Sequence, residues 1–249
     1  FESVKAATEE IAKLKPSFMS VTYGAGGGTS RYTLDIAKNI KERYGVPTLA
    51  HLTCVSSTRQ TVKERIADIR EAGIQNVMAL RGDIPKGMED ADRSGWDYRY
   101  AIDLVRELRE TGDFCIGGAC YPEIHPESAS QREDIMYLKE KVDAGCDFLT
   151  TQMFFDNSCY FAFVERCRKA GITVPIIPGI KPLTSLTQQA LLPKTFHIDL
   201  PKELADELRR CKDNDSVKAL GVEWGIAQAR ELKAARVPSI HFYTMNASA

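Results

Sequence analysis

The stretch "FCIGGACYPEIHPESASQREDIMYLKEKVDAGCDFLTTQMF", residues 114–154, holds one whole unit of the fold. It starts with a β-rich run, Phe114–Cys120, that stops at Tyr-Pro. "SQREDIMYLKEKVDAG" follows, with apolar residues three and four apart that supply one sheet-facing stripe. Its last residue is a glycine suited to the left-handed position that ends a helix. Phe148–Phe154 is then a second β-rich run. Strand, helix and strand in that order are the mark of a βα unit and a parallel sheet.

Outward from this unit the pattern repeats. Strands are predicted at Phe18–Tyr23, Thr48–Cys54, Val77–Leu80, Val174–Ile180 and Ile240–Thr244, which with the two above makes seven. Helices are predicted at "SRYTLDIAKNIKERYG", "TRQTVKERIADIREAG", "WDYRYAIDLVRELRETG" and "SCYFAFVERCRKAG", again ending on glycine. The sequence opens with a helical stretch, "ESVKAATEEIAKLKP", ahead of its first strand. Eight parallel strands close a barrel. The expectation is therefore an α/β fold of (β/α)8 TIM type, residues 1–249 forming one domain that is N-terminally truncated, its first strand lying upstream of Phe1. An open doubly wound sheet is the alternative, weakened because no G-x-G-x-x-G follows a strand.

Composition narrows the function. Lysine and arginine number 33 against 34 acidic residues, so no global charge draws the chain to nucleic acid or to an anionic membrane. No apolar run reaches the length of a membrane span. Seven cysteines without a C-x-x-C pair argue against a disulfide framework or a zinc site and fit a reduced, cytoplasmic protein. A small-molecule partner is expected.

In a barrel the chemistry sits at the C-terminal ends of the strands. Those ends read "VTYGAGGGTS", "AHLTC", "ALRGD", "ACYPEIHP", "TTQMFF", "PGIKP" and "HFYTMN". Gly24, Gly26, Gly27 and Gly28 suit either a turn or a ligand cradle. His51, inside an apolar run, reads by itself as a core histidine. His125, between two prolines and beside Glu123 and Glu127, reads as part of a ligand-contacting loop. No histidine or cysteine spacing supports a metal site. Asp83 can cap the next helix, pair with Arg81, or act on a ligand that develops charge. Periodicity does not decide among the three.

The motifs "SVTYGAGG", "HLTC", "ALRGD", "YPEIHPE", "KVDAGCDFLTTQMFFD", "PIIPGI" and "HFYTMN", in this order, resemble the methylenetetrahydrofolate reductase family. The resemblance implies a barrel whose flavin, FAD with FMN left open, passes a hydride to 5,10-methylenetetrahydrofolate. It places Thr22, His51, Arg81, Gly82, Asp83, Tyr100, Ala101, Ala119, Tyr121, His125, Asp134, Lys141 and Tyr243 against the cofactor. Gln152 and Tyr160 are placed at the folate, with Asp83 and Gln152 as catalytic residues. An anionic Asp83 would stabilise the iminium formed on ring opening. The implied electron source is NADH, NADPH or an electron-delivering partner protein, and the chain is expected to be an oligomer or a complex subunit. The family's general acid, a glutamate in a "FEFFPP"-like first strand, would lie before Phe1, and Glu2 is not assigned that role. Tyr137, Glu140 and Ala247 depart from residues that relatives carry near the cofactor or folate. A non-redox pterin-binding transferase and a noncatalytic barrel subunit are the competing readings.

Overall fold

The computed structural model describes residues 2–22, 30–84, 87 and 95–244. The glycine loop and Ala247 lie outside the described residues. In chain order the elements are α1 (Glu2–Lys13), β1 (Met19–Val21), α2 (Ser30–Tyr44), β2 (Thr48–Thr53), α3 (Arg59–Glu71), β3 (Asn76–Leu80), α4 (Ala101–Thr111) and β4 (Cys115–Cys120). They continue as α5 (Gln131–Asp143), β5 (Phe148–Thr151), α6 (Asn157–Lys169), β6 (Ile176–Ile177), β7 (Gly179–Ile180), α7 (Leu186–Phe196), α8 (Lys202–Leu208), α9 (Asn214–Ala234) and β8 (His241–Phe242). The fold is α/β: β1 to β6 form a six-stranded sheet in sequence order, and β7 pairs with β8. Every described pairing is parallel.

The predicted strand Val174–Ile180 is two strands. Proline has no N–H to give to a ladder, and Pro178 interrupts the run between β6 and β7. Its carbonyl remains useful and accepts from His241 N at 2.9 Å. The predicted helix ends hold: Gly45, Gly73, Gly112, Gly145 and Gly171 all have positive φ. Helix starts are capped by side chains. Thr58 accepts from Thr61 N, Asp156 from Ser158 N, and Asp213 from Ser216 N.

The chain divides into two compact units. The first takes the described residues up to Gly118 together with Lys141–Asp147, and the second takes Ala119–Glu140 and Phe148–Thr244. In the first, the inward faces of β2 and β3 (Ala50, Leu52, Val77, Ala79) pack on Val62 and Ile66 of α3 and Leu104 and Leu108 of α4. In the second, Met153, Phe155, Leu183, Leu192, Leu204, Leu208 and Val217 form a core among α7, α8 and α9. No helix among the described residues is long and apolar enough to cross a membrane.

Helix α9 approaches the segment after β7 backbone to backbone. A Cβ on Gly221 would lie 2.1 Å from the Leu183 carbonyl oxygen, whereas one on Gly225 would meet the Pro182 ring, with Cγ nearest at 3.3 Å. Gly221→Ala should therefore lower the unfolding free energy in urea by about 1–3 kcal/mol through overpacking. Gly225→Ala should stay within about 1 kcal/mol of wild type, because the gain in helix propensity offsets the tighter fit.

Candidate active site

In the first unit the ends of three neighbouring strands carry the residues singled out from sequence. Thr22 follows Val21 of β1 and is exposed. His51 lies within β2, half-buried and in register with Met78 of β3. Arg81, Gly82 and Asp83 follow β3. Cys54 N and Val55 N both donate to the Arg81 carbonyl, at 3.1 and 2.7 Å, so the tail of β2 holds the tail of β3. Gly82 has φ +88°, and a Cβ there would meet Val55 Cγ1 at 2.9 Å and Thr53 Cβ at 3.1 Å. Only glycine fits that turn.

The turn sends Asp83 outward. Asp83 is exposed and has no hydrogen bond or ion pair among the described residues, so neither a helix cap nor Arg81 occupies its carboxylate. Tyr100 precedes α4 and is 56% exposed. Its backbone is fixed, since its N–H donates to Asp103 Oδ2 at 3.1 Å and its carbonyl accepts from the Cys54 thiol at 3.8 Å. Ala101 opens α4, and Lys141 lies in the last turn of α5. An exposed aromatic ring, a hydroxyl, a carboxylate and the Arg81 cation suit an aromatic cofactor, whereas the charge of Lys141 acts on Cys146, just ahead of β5.

In the second unit, Ala119 and Cys120 end β4, and the loop beyond is braced by Asp134. Its Oδ2 accepts from His125 N at 3.3 Å and its Oδ1 from Ser128 Oγ at 3.0 Å. His125 Nδ1 accepts from Glu127 N at 3.1 Å, which puts the proton of the neutral ring on Nε2. Tyr121 meets the His125 ring edge to face at 4.6 Å. Asp134 thus acts on the loop that carries Tyr121 and His125.

Gln152 follows β5. Its N–H donates to the Cys120 carbonyl at 2.8 Å, and its Oε1 accepts from Met153 N at 2.9 Å. Its Nε2 has no hydrogen-bond partner among the described residues. It lines an open cavity of about 180 Å³ with Tyr121, Glu123, Ile124, Phe196 and Ile198. Most of that space is open to solvent, and its enclosed part, about 10 Å³, has room for roughly one water molecule. Tyr160 lies inside the core of the unit, 3% exposed, stacked on Phe154 at 5.6 Å with its hydroxyl donating to the Ile176 carbonyl at 2.8 Å. Tyr243 donates its hydroxyl to the Thr151 carbonyl at 2.7 Å, and burial pushes its pKa up. Burial holds the neighbouring His241 ring down to about 4, and the two rings meet edge to face at 4.7 Å.

Two charged residues matter that periodicity did not separate from their surroundings. Glu123 accepts from Asp199 N at 3.0 Å, and its carboxyl is pushed up to about 7, chiefly by burial and further by Asp199 and Asp156. Lys181, two residues beyond Gly179, is 6% exposed.

The family model for methylenetetrahydrofolate reductase matches residues 2–249. The 5,10-methylenetetrahydrofolate reductase of Salmonella typhimurium is 40% identical over 240 residues, covering 96% of this chain and 79% of that protein. Methylenetetrahydrofolate reductase (NADH) 1 of Arabidopsis thaliana is 36% identical over 257 residues, covering 98% of this chain and 43% of that protein. Among solved structures, an oxaloacetate acetylhydrolase is similar in fold, with a TM-score of 0.51 at 15% identity, covering 96% of this chain and 72% of that one.

The proton on Glu123 predicts a pH dependence. The unfolded chain loses this proton from about pH 4.5 upward while the folded chain keeps it until about pH 7. The unfolded state then binds fewer protons, so stability falls as pH rises across that window. Glu123→Gln keeps an acceptor for Asp199 N and removes the charge. Its Tm should match wild type near pH 4 and exceed it by about 2–4 °C above pH 8. Parallel Tm curves at the two pH values would show that Glu123 titrates normally.

Proposed function

The chain belongs to the methylenetetrahydrofolate reductase family, and on that premise we propose that it reduces 5,10-methylenetetrahydrofolate to 5-methyltetrahydrofolate with hydride from a bound flavin. A flavin, when bound, supplies hydride transfer, which no amino-acid side chain offers. The observation that carries the assignment of roles is Asp83, an exposed carboxylate just past the Gly82 turn with no partner among the described residues. Opening of the substrate's five-membered ring places positive charge on an iminium, and a fixed anion beside it lowers the barrier.

Thr22, His51, Arg81, Gly82, Tyr100, Ala101 and Lys141 of the first unit are the residues we assign to the flavin, with Lys141 at its phosphates. In the second unit we assign Ala119, Tyr121, His125 and Tyr243 to the flavin, with Asp134 bracing their loop, and Gln152 to the pterin. A carboxamide with unengaged N–H donors suits the amide-like edge of that ring. Tyr160, its hydroxyl engaged, would support the folate pocket from within the core. The reading extends to FAD as the flavin, to a nicotinamide as electron donor, and to a (β/α)8 barrel acting as one flavin-binding domain. The name of the Arabidopsis relative specifies NADH for that protein.

Purified protein should be yellow, with oxidised-flavin absorption in the near-ultraviolet and blue; a colourless protein that takes up neither FAD nor FMN would refute the assignment. Asp83→Asn keeps shape and removes charge. With about 2–3 kcal/mol of cation stabilisation lost, folate reduction should slow roughly 30- to 150-fold in single-turnover measurements, while flavin reduction by NADH changes far less. Equal slowing of both half-reactions would mean that Asp83 supports the flavin site instead.

A further inference from the structure

Lys181 has a burial that its charge does not explain. It is 6% exposed, between Ile180 at 0% and Leu183 at 1%. No hydrogen bond or ion pair joins it to any described residue. An ammonium taken out of water without a partner costs several kcal/mol, and a position that only had to be filled would hold leucine or methionine. Burial alone pulls its pKa below the usual lysine value, with no carboxylate acting against it.

Its place is well defined. In the β7–β8 register Gly179 faces His241 and Ile180 faces Phe242, so the next step sets Lys181 beside Tyr243. In the β5–β6 register Thr150 faces Ile177, and Gln152 follows directly on the end of β5. Thr151 locks these ends together, accepting from Gly179 N through its hydroxyl at 2.9 Å and from the Tyr243 hydroxyl through its carbonyl at 2.7 Å. Lys181 leaves its strand on the same side as Gly179, about 7 Å further toward the rim. Two residues after it, Leu183 is wedged against Gly221 of α9. The root of the side chain is fixed, and its head is a charge uncompensated among the described residues that the assignments above leave unused.

We propose that Lys181 is an anion seat that receives a carboxylate or phosphate oxygen of the substrate or electron donor bound at the strand ends of the second unit. The proposal rests on the reductase reading for the identity of those molecules: the folate carries glutamyl carboxylates and a nicotinamide dinucleotide carries phosphates. Gln152 would then read the neutral ring while Lys181 pairs with the charged end, and the lysine's burial cost would be recovered only in the complex.

The test uses the flavin-loaded protein and Lys181→Met, with Lys181→Leu as a second apolar replacement. Ligand-free variants should melt at or above wild type, because an uncompensated charge is gone. By calorimetry they should bind either 5-methyltetrahydrofolate or NADH about 10- to 100-fold more weakly. A loss seen for 5-methyltetrahydrofolate but not for the same pterin lacking its glutamate assigns the carboxylate, and a loss confined to NADH assigns the phosphate. Folded variants that bind both molecules as tightly as wild type overturn the proposal, as does an equal loss with and without the glutamate when NADH binding is unchanged. A separate arm follows wild-type Tm with added pyrophosphate or N-acetylglutamate. A rise absent from the variants supports the seat, and no difference between wild type and variants overturns it. Wild type that binds neither folate nor NADH refutes the reductase reading, while the anion arm still decides Lys181.

Discussion

Parallel pairing is the constraint on which the rest of this protein depends. Two strands that run in the same direction cannot be joined by a tight turn, so each needs a return segment, usually a helix. Every described strand pair here is parallel, and α2, α3, α4, α5 and α6 are the returns between β1 and β6. One consequence is a sequence of alternating periods. Another is that β1 to β4 finish on one edge, and β5 and β6 finish together, where their last backbone groups must find partners outside the ladder. The donation of Cys54 N and Val55 N to the Arg81 carbonyl, and of Gln152 N to the Cys120 carbonyl, answers that need. The residues held there are the ones assigned to chemistry.

Beyond strand ends of the two units, three ionisable groups are treated in three ways. Asp83, just past the Gly82 turn, is exposed and has no partner among the described residues. Glu123 is desolvated enough to keep its proton to about pH 7, although Asp199 N donates to it and works in the other direction. Lys181 is buried without an anion. Water would level these differences, and partial burial preserves them. Titratable groups with shifted environments gather at functional sites because activity needs protonation states that water does not supply. Their supports are the ordinary devices of the fold, including the Asp134 brace on the His125 loop and the hydrogen bonds that converge on Thr151.

Some elements were readable because their signals are local. The run from Phe114 to Phe154 shows strand, helix and strand, and the structure has β4, α5 and β5 there. The five helix-ending glycines adopt positive φ because that conformation is a property of one residue. Helices α7, α8 and α9 had no comparable signal. Pro193 lies inside α7, and Gly221 and Gly225 lie on the packed side of α9, so residues that ordinarily break helices stand within them. Gly221 is tolerated because Leu183, distant in sequence, needs the space. The split of Val174–Ile180 at Pro178 was available from one residue's missing N–H.

By itself the sequence determined the α/β class, the order of the motifs, the family to which the chain belongs, and the position of Asp83 at the end of a strand. Each follows from periodicity or residue identity within a few positions. Only the tertiary structure decided that Asp83 has no partner among the described residues, that Tyr160 spends its hydroxyl on Ile176 in the core, that burial raises the pKa of Glu123, and that Lys181 is buried without a partner among those residues. Those outcomes depend on desolvation and pairing, which are set by groups far away along the chain. Glu123 meets Asp199 across 76 residues, and Tyr243 meets Thr151 across 92. The energy of a charge depends on everything that displaces water around it, and a one-dimensional pattern carries no record of that neighbourhood.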